Sequence, residues 1–173
     1  MIIKIIGSLF IIVSSSCVGF FMAQKNKYRI EELEELKKGI TFYKGSVNSM
    51  GYTVEEAFYQ ASEKTKYGVS KIFRLAGDIC SQKKASSVEE IWKYAVDRNI
   101  ENTYFDKTDI NTVYSFGLAA GFMGRQEQSE NMDIIIKEIE TIQKELRQKS
   151  ASEIRMYPSM GVFTGLILSV VLF

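Results

Sequence analysis

The sequence predicts an all-α protein, an antiparallel bundle of about six helices set between two terminal transmembrane helices. Three observations carry that expectation. Apolar residues recur at steps of three and four through the middle of the chain, the spacing of a helix face. The only proline, Pro158, lies beyond that middle, so no proline there interrupts a helix. Both ends lack charge, with 19 uncharged residues from Ile5 to Ala23 and 18 from Met156 to Phe173.

At about 1.5 Å of rise per residue, each uncharged run spans roughly 27 to 29 Å, close to the hydrocarbon thickness of a bilayer. The expected organisation is therefore a transmembrane helix over 1–23, a helical bundle over 24–155 and a transmembrane helix over 156–173. Two readings of the first run compete. Lys4 followed by an apolar stretch that ends in Ser14, Ser15, Ser16 and Cys17 fits a cleaved signal peptide, or a lipoprotein anchor at Cys17. A retained span is favoured by its flank, because Lys25, Lys27 and Arg29 follow it just as Arg147, Lys149 and Arg155 precede the second run. Basic flanks stay on the cytosolic side, so the bundle is expected in the cytosol with both termini outward.

The middle of the chain reads helix by helix. Leu33, Leu36, Ile40, Tyr43, Val47 and Met50 make one face of a first helix from about Asn26 to Ser49, which Gly39 and Gly45 weaken and Gly51 ends. Thr53 with Glu56 forms a capping box ahead of Val54, Ala57, Phe58 and Ala61. After Gly68 a third face is built by Val69, Ile72, Phe73, Ala76 and Cys80. Ser87 and Glu90 form another capping box ahead of a fourth, with Val88, Ile91, Trp92, Ala95 and Val96 inward. Asp109 is the expected cap of a fifth helix that turns Ile110, Val113, Tyr114 and Phe116 inward and stops in a glycine-rich patch. From Arg125 to Arg155 no Gly or Pro interrupts a face of Met132, Ile135, Ile139, Ile142 and Leu146. Asp133 with Lys137, Glu140 with Lys144 and Glu145 with Lys149 fall at the favourable i,i+4 order along it.

Composition excludes several kinds of function. The formal charge is +1, from 22 basic and 21 acidic residues, which leaves no excess to attract a nucleic acid. Histidine is absent, and Cys17 and Cys80 are too far apart in sequence to suggest a metal cluster or a thiolate with a partner base. Both cysteines read as small buried hydrophobes. Gly117, Gly121 and Gly124 lack the spacing of a phosphate loop, and no strand leads into them, so they read as close packing or a helix-to-helix turn. The aromatics Phe73, Trp92, Tyr94, Tyr104, Phe105, Tyr114, Phe116 and Phe122 read as core rather than as a ligand pocket. Nothing in the pattern points to an enzyme, a cofactor or a small-molecule substrate. The acidic run Glu31, Glu32, Glu34 and Glu35 reads as a solvated face or an electrostatic docking patch. Together with Gly121 and Gln128 it supplies the candidate partner-binding residues.

Several local patterns resemble the stage III sporulation protein AB family of endospore-forming bacteria, over essentially the whole chain. They are Gly19 near the end of the first apolar run, the Glu-Glu-Ala-Phe run at Glu55 to Phe58, and Ile91, Trp92 and Ala95. They continue with Phe116-Gly117 followed by Gly121 and Gln128, and with Met156-Tyr157, Met160-Gly161 and Gly165-Leu166. Departures fall at Ala120, where the family tends to Leu, at Gly124, where Asp is usual, at Tyr52-Thr53-Val54 and at Ser46 to Ser49. The resemblance implies a non-enzymatic component of the sporulation channel complex between mother cell and forespore. The family is similar to the cytosolic domains of type II secretion F proteins, which are six-helix bundles. By that analogy the protein sits in the mother-cell membrane, docks the AA-type sporulation ATPase and anchors other membrane proteins of the complex. A platform protein of a pilus or secretion system outside sporulation, and a membrane-tethered signalling adaptor, are the competing readings.

Overall fold

The computed structural model describes residues 24–82, 87–121 and 124–150 with their side chains, together with Gly7 and Ser14, and residues 2–23 and 151–172 as helical backbone. Its elements are α1 (Ile2–Asn48), α2 (Val54–Lys64), α3 (Tyr67–Ser81), α4 (Val88–Asn99), α5 (Lys107–Ala120) and α6 (Arg125–Leu172), with a short 3-10 turn at Ile100–Asn102. Among the described residues there are six α-helices and no strand. None of these helices is long and apolar enough, over the described residues, to cross a membrane. The two apolar runs expected to do so lie outside them.

The chain divides into two compact units, one of Met1–Tyr28 with Lys144–Phe173 and the other of Arg29–Gln143. The second unit holds the core. In it α1 and α6 run antiparallel, as three polar pairs show. Gln143 Nε2 donates to the Ile30 carbonyl at 3.1 Å, Lys37 meets Glu140 at 3.7 Å and Lys44 meets Asp133 at 2.6 Å. Asp133 and Glu140 thus reach across to α1, which the i,i+4 reading of α6 did not anticipate.

Capping explains where α2, α4 and α5 begin. Thr53 accepts from the Glu56 amide while the Glu56 carboxylate accepts from the Thr53 amide at 2.9 Å, the reciprocal pair the sequence suggests. Ser87 accepts from the Glu90 amide at 3.2 Å. The fifth helix departs from expectation. Its N-cap is Asp106, and Asp109 is the third helical residue, whose carboxylate reaches back to the Asp106 amide at 2.8 Å. Two aspartates three apart each satisfy half of a capping box, and the first of them wins because the helix starts at Lys107.

The centre is aromatic. Tyr43 of α1, Phe58 of α2, Phe73 of α3, Trp92 of α4 and Phe116 of α5 are all fully buried. Trp92 and Phe116 meet edge to face at 4.7 Å between ring centroids, and Phe73 lies 4.9 Å from Trp92. One ring from each of five helices means that none of these five can leave without exposing a side chain worth about 1.5–3 kcal/mol of burial. The Trp92 indole N–H donates to the Val113 carbonyl at 2.6 Å, so its one polar atom is satisfied within the core.

Two glycines make room for these rings. A Cβ at Gly117 would lie 2.7 Å from the Trp92 ring, and one at Gly39 would lie 2.3 Å from Phe73. The packing reading of the glycine patch holds at Gly117. Gly39, which looks like a weak point of a helix in sequence, is where α3 approaches α1. Other aromatics are placed differently from expectation. Tyr94 and Tyr104 are exposed, Phe105 and Tyr114 are half-buried, and Phe122 lies outside the described residues. Met50 does not continue the inner face of α1, because the helix ends at Asn48 and the chain turns through Gly51 at φ +69°.

Candidate functional site

The acidic run of α1 is not one surface. The inner stripe of the helix passes through Leu33, Leu36, Ile40 and Tyr43, and stepping back by four from Leu36 lands on Glu32. Glu32 is accordingly buried, at 3% exposure, and its carboxylate accepts the backbone N–H groups of Tyr104 and Gly68. Burial pushes its pKa up, and the two amide donors oppose that rise. Glu34 is taken by Lys37 at 3.1 Å and by Gln143 Nε2 at 3.0 Å. Glu35 lies 3.5 Å from Lys38, and Glu31 is half-buried. The expected solvated face is therefore corrected at Glu32, which is a structural tie, and narrows to Glu31, Glu34 and Glu35.

One turn before Glu32, Arg29 makes the main ionic tie of this end. Its Nε and Nη2 donate to the two oxygens of Asp109 at 2.7 and 2.8 Å, and its Nη1 reaches Asp106 at 3.2 Å. The Asp109 side chain is fully buried and that of Arg29 is 13% exposed. A two-point guanidinium–carboxylate contact of this kind fixes direction as well as distance. In sequence, Arg29 counts among the basic residues flanking an apolar run. In the fold it belongs to the bundle.

Gly121 and Gln128 stand at the opposite end. Gly121 is the exposed C-terminal cap of α5, its amide donating to the Gly117 and Leu118 carbonyls. Gln128 is 5% exposed, and its Nε2 donates to the Ala120 carbonyl at 2.7 Å, fastening the start of α6 to the end of α5. The two are brought together, but roughly 20 Å of α5 separates them from the acidic run. The six candidate residues thus divide between two ends of the unit, and two of them, Glu32 and Gln128, face inward.

Among the described residues no three of Cys, Asp and Glu gather as metal ligands. Cys80 is half-buried and its thiol is pushed up to about 11 by burial, far from a reactive thiolate. Two open grooves of about 350 Å³ flank the bundle, one lined by Val54, Ile79, Val88 and Ile91, the other by Lys44, Asn48, Ser129 and Asp133. Beside the Glu32 tie stand two exposed tyrosines, Tyr67, which the sequence does not single out, and Tyr104, which it suggests as core; they are 61% and 45% exposed. The signal that Tyr67 offers is structural. It holds φ at +57° although it carries a β-carbon.

These features define a class, an all-helical bundle protein whose described polar groups tie its helices together. The family model of stage III sporulation protein AB matches residues 4–173, and the chain belongs to that family, a family of sporulation proteins. Stage III sporulation protein AB of Bacillus subtilis (strain 168) is 21% identical over 170 residues, covering 98% of this chain and 99% of that protein. A solved structure of stage III sporulation protein AB shares the fold with a TM-score of 0.67 at 14% identity, over 72% of this chain and 97% of the solved one.

Proposed function

We infer that the protein is a non-catalytic membrane platform of the sporulation channel complex, holding its helical bundle in the mother-cell cytosol to dock the AA-type secretion ATPase. The observation that carries this reading is the pairing of apolar ends with a charged middle. Runs of 19 and 18 uncharged residues flank a stretch that contains all 21 acidic residues. Membership of the family supports the sporulation part, and the likeness to type II secretion F domains supports the ATPase part. The surfaces open to a partner are Glu31, Glu34 and Glu35 at one end of the bundle and Gly121 at the other.

Topology tests the reading directly. Single cysteines at Ile3, Phe173 and the exposed Glu63, in a background with Cys17→Ser and Cys80→Ser, are probed with a membrane-impermeant maleimide on intact vegetative cells and on lysates. Labelling at Ile3 and Phe173 in intact cells, with Glu63 labelled only after lysis, is the expected pattern. Labelling at Glu63 in intact cells overturns a cytosolic partner. The docking step is tested by co-purification of the full-length chain with the ATPase. The charge reversal of Glu31 and Glu35 to Lys, sparing Glu34 because it holds Gln143 and Lys37, should weaken it with little change in the melting temperature, since neither residue is buried.

A further inference from the structure

Tyr67 opens α3 and Tyr104 lies between the 3-10 turn and α5, yet one buried carboxylate holds the backbone at both. The Glu32 side chain accepts the amide of Tyr104 itself and the amide of Gly68, the residue after Tyr67. The α3 start is also pressed against the 3-10 turn, since a Cβ at Gly68 would lie 2.5 Å from Thr103 Cγ2 and 2.7 Å from the Asn102 carbonyl. These contacts fix the two backbones side by side. They also hold Tyr67 in the left-handed region, where a residue with a β-carbon is strained and where strain accompanies function more often than packing. Both side chains keep a large part of their surface open to solvent, with exposures of 61% and 45%.

The position of this pair within the Arg29–Gln143 unit is informative. Arg29, where the chain enters the unit, bonds Asp106 two residues after Tyr104, and Gln143, where the chain leaves, bonds the Ile30 carbonyl. The tyrosines therefore stand at the end through which the chain passes toward both uncharged runs. A tyrosine is an apolar ring with a polar tip, the side chain that suits a membrane–water boundary. Exposed Lys66 and Lys107 flank the pair and carry long apolar stems with charged heads. Exposed Glu63 in the last turn of α2 and Glu101 in the 3-10 turn keep the net charge small, so contact here depends on the rings more than on anionic lipid.

We propose that Tyr67 and Tyr104 form an interfacial contact with the lipid headgroup layer, setting the bundle against the bilayer surface. The inference rests on the membrane reading above and adds to it the surface that meets the lipid. The full-length chain, with Cys17→Ser and Cys80→Ser, is given a single cysteine at Tyr67, Tyr104 or Tyr52, labelled with bimane and reconstituted in phosphatidylcholine–phosphatidylglycerol vesicles. A fraction of the lipid carries a spin label on its headgroup. Tyr52 lies on the connection after α1, at the opposite end of the bundle, and serves as the control. Labels at 67 and 104 should be quenched roughly twofold or more relative to 52, with little change when phosphatidylglycerol is removed. Equal quenching at 67 and 52 in protein that resists alkaline carbonate extraction overturns the interfacial contact alone and assigns the tyrosines to a protein partner. Protein stripped by carbonate overturns the membrane reading and the contact together.

Discussion

The two ends of the Arg29–Gln143 unit are held by different kinds of interaction. At the end where the chain enters, ionised groups are taken out of water, with Arg29 against Asp109 and Glu32 against two backbone amides. At the opposite end the ties are neutral or solvated, with Gln128 on a carbonyl, Thr53 with Glu56 at an exposed cap, and Gly121 closing α5. Buried charges cost a great deal when left alone and little when fully paired, whereas neutral ties cost a modest amount either way. The first end is therefore the more directional and the more fragile.

Mutations at the two ends should separate them by size. Asp109→Ala removes both a capping partner and the counter-charge of Arg29, and we expect a loss of about 3–5 kcal/mol in urea unfolding. Charge removal on both sides, Asp109→Leu with Arg29→Met, should recover most of it, which a purely capping role would not allow. At the other end Gln128→Ala should cost only about 1–3 kcal/mol, the penalty for one buried carbonyl left without its donor. An equal loss at both ends would erase the distinction.

Smaller effects sharpen the comparison. The pKa of Glu32 is raised in the fold by burial, so folding makes its protonation easier than in the unfolded chain. Its contribution to stability is fully present below the ordinary carboxylate range and is lost as pH rises through the folded pKa. Glu32→Gln should therefore flatten the pH dependence of the melting temperature on the acid side. Relative to this variant, the parent gains stability as pH falls toward that range. A parent that loses stability relative to Glu32→Gln on acidification would mean that the two amides outweigh burial. Least of all, Tyr67→Gly should stabilise the isolated fold slightly, because relief of about 1–2 kcal/mol of left-handed strain is partly cancelled by the greater freedom of glycine in the unfolded chain. Tyr67→Val should destabilise it.

Much of the fold is legible in the sequence because its signals are local. Thr53 with Glu56 and Ser87 with Glu90 mark helix starts that need no knowledge of the rest of the chain. The stripe from Leu33 to Tyr43 and that from Met132 to Leu146 mark faces, and all but Ile142 of these residues are buried. Long-range signals are harder to read. Arg29 and Glu32 continue the Leu36 stripe backward at the same spacing, yet charge alone suggests solvent, and their partners are far along the chain at Asp109 and Tyr104. The cap of α5 is misplaced for a related reason. Asp109 looks like a cap until its second bond, to Arg29, shows why it is the third residue and not the first. The exposure of Tyr67 depends on a backbone conformation that no residue pattern announces.

The Arg29–Asp109 contact joins residues 80 positions apart. The Gln143 bond to Ile30 joins positions 113 apart. During synthesis, at about 5–20 residues per second, the apolar stripe of α1 is completed early and its partners are among the last to emerge. For several seconds the nascent chain carries Leu33, Leu36, Ile40 and Tyr43 with only α2 and α3 available to cover them, and a high separation between contacting residues slows closure further. The earliest part of the bundle to leave the ribosome is thus among the last to be locked in place, and its safe passage depends on whatever shields that stripe until α5 and α6 arrive.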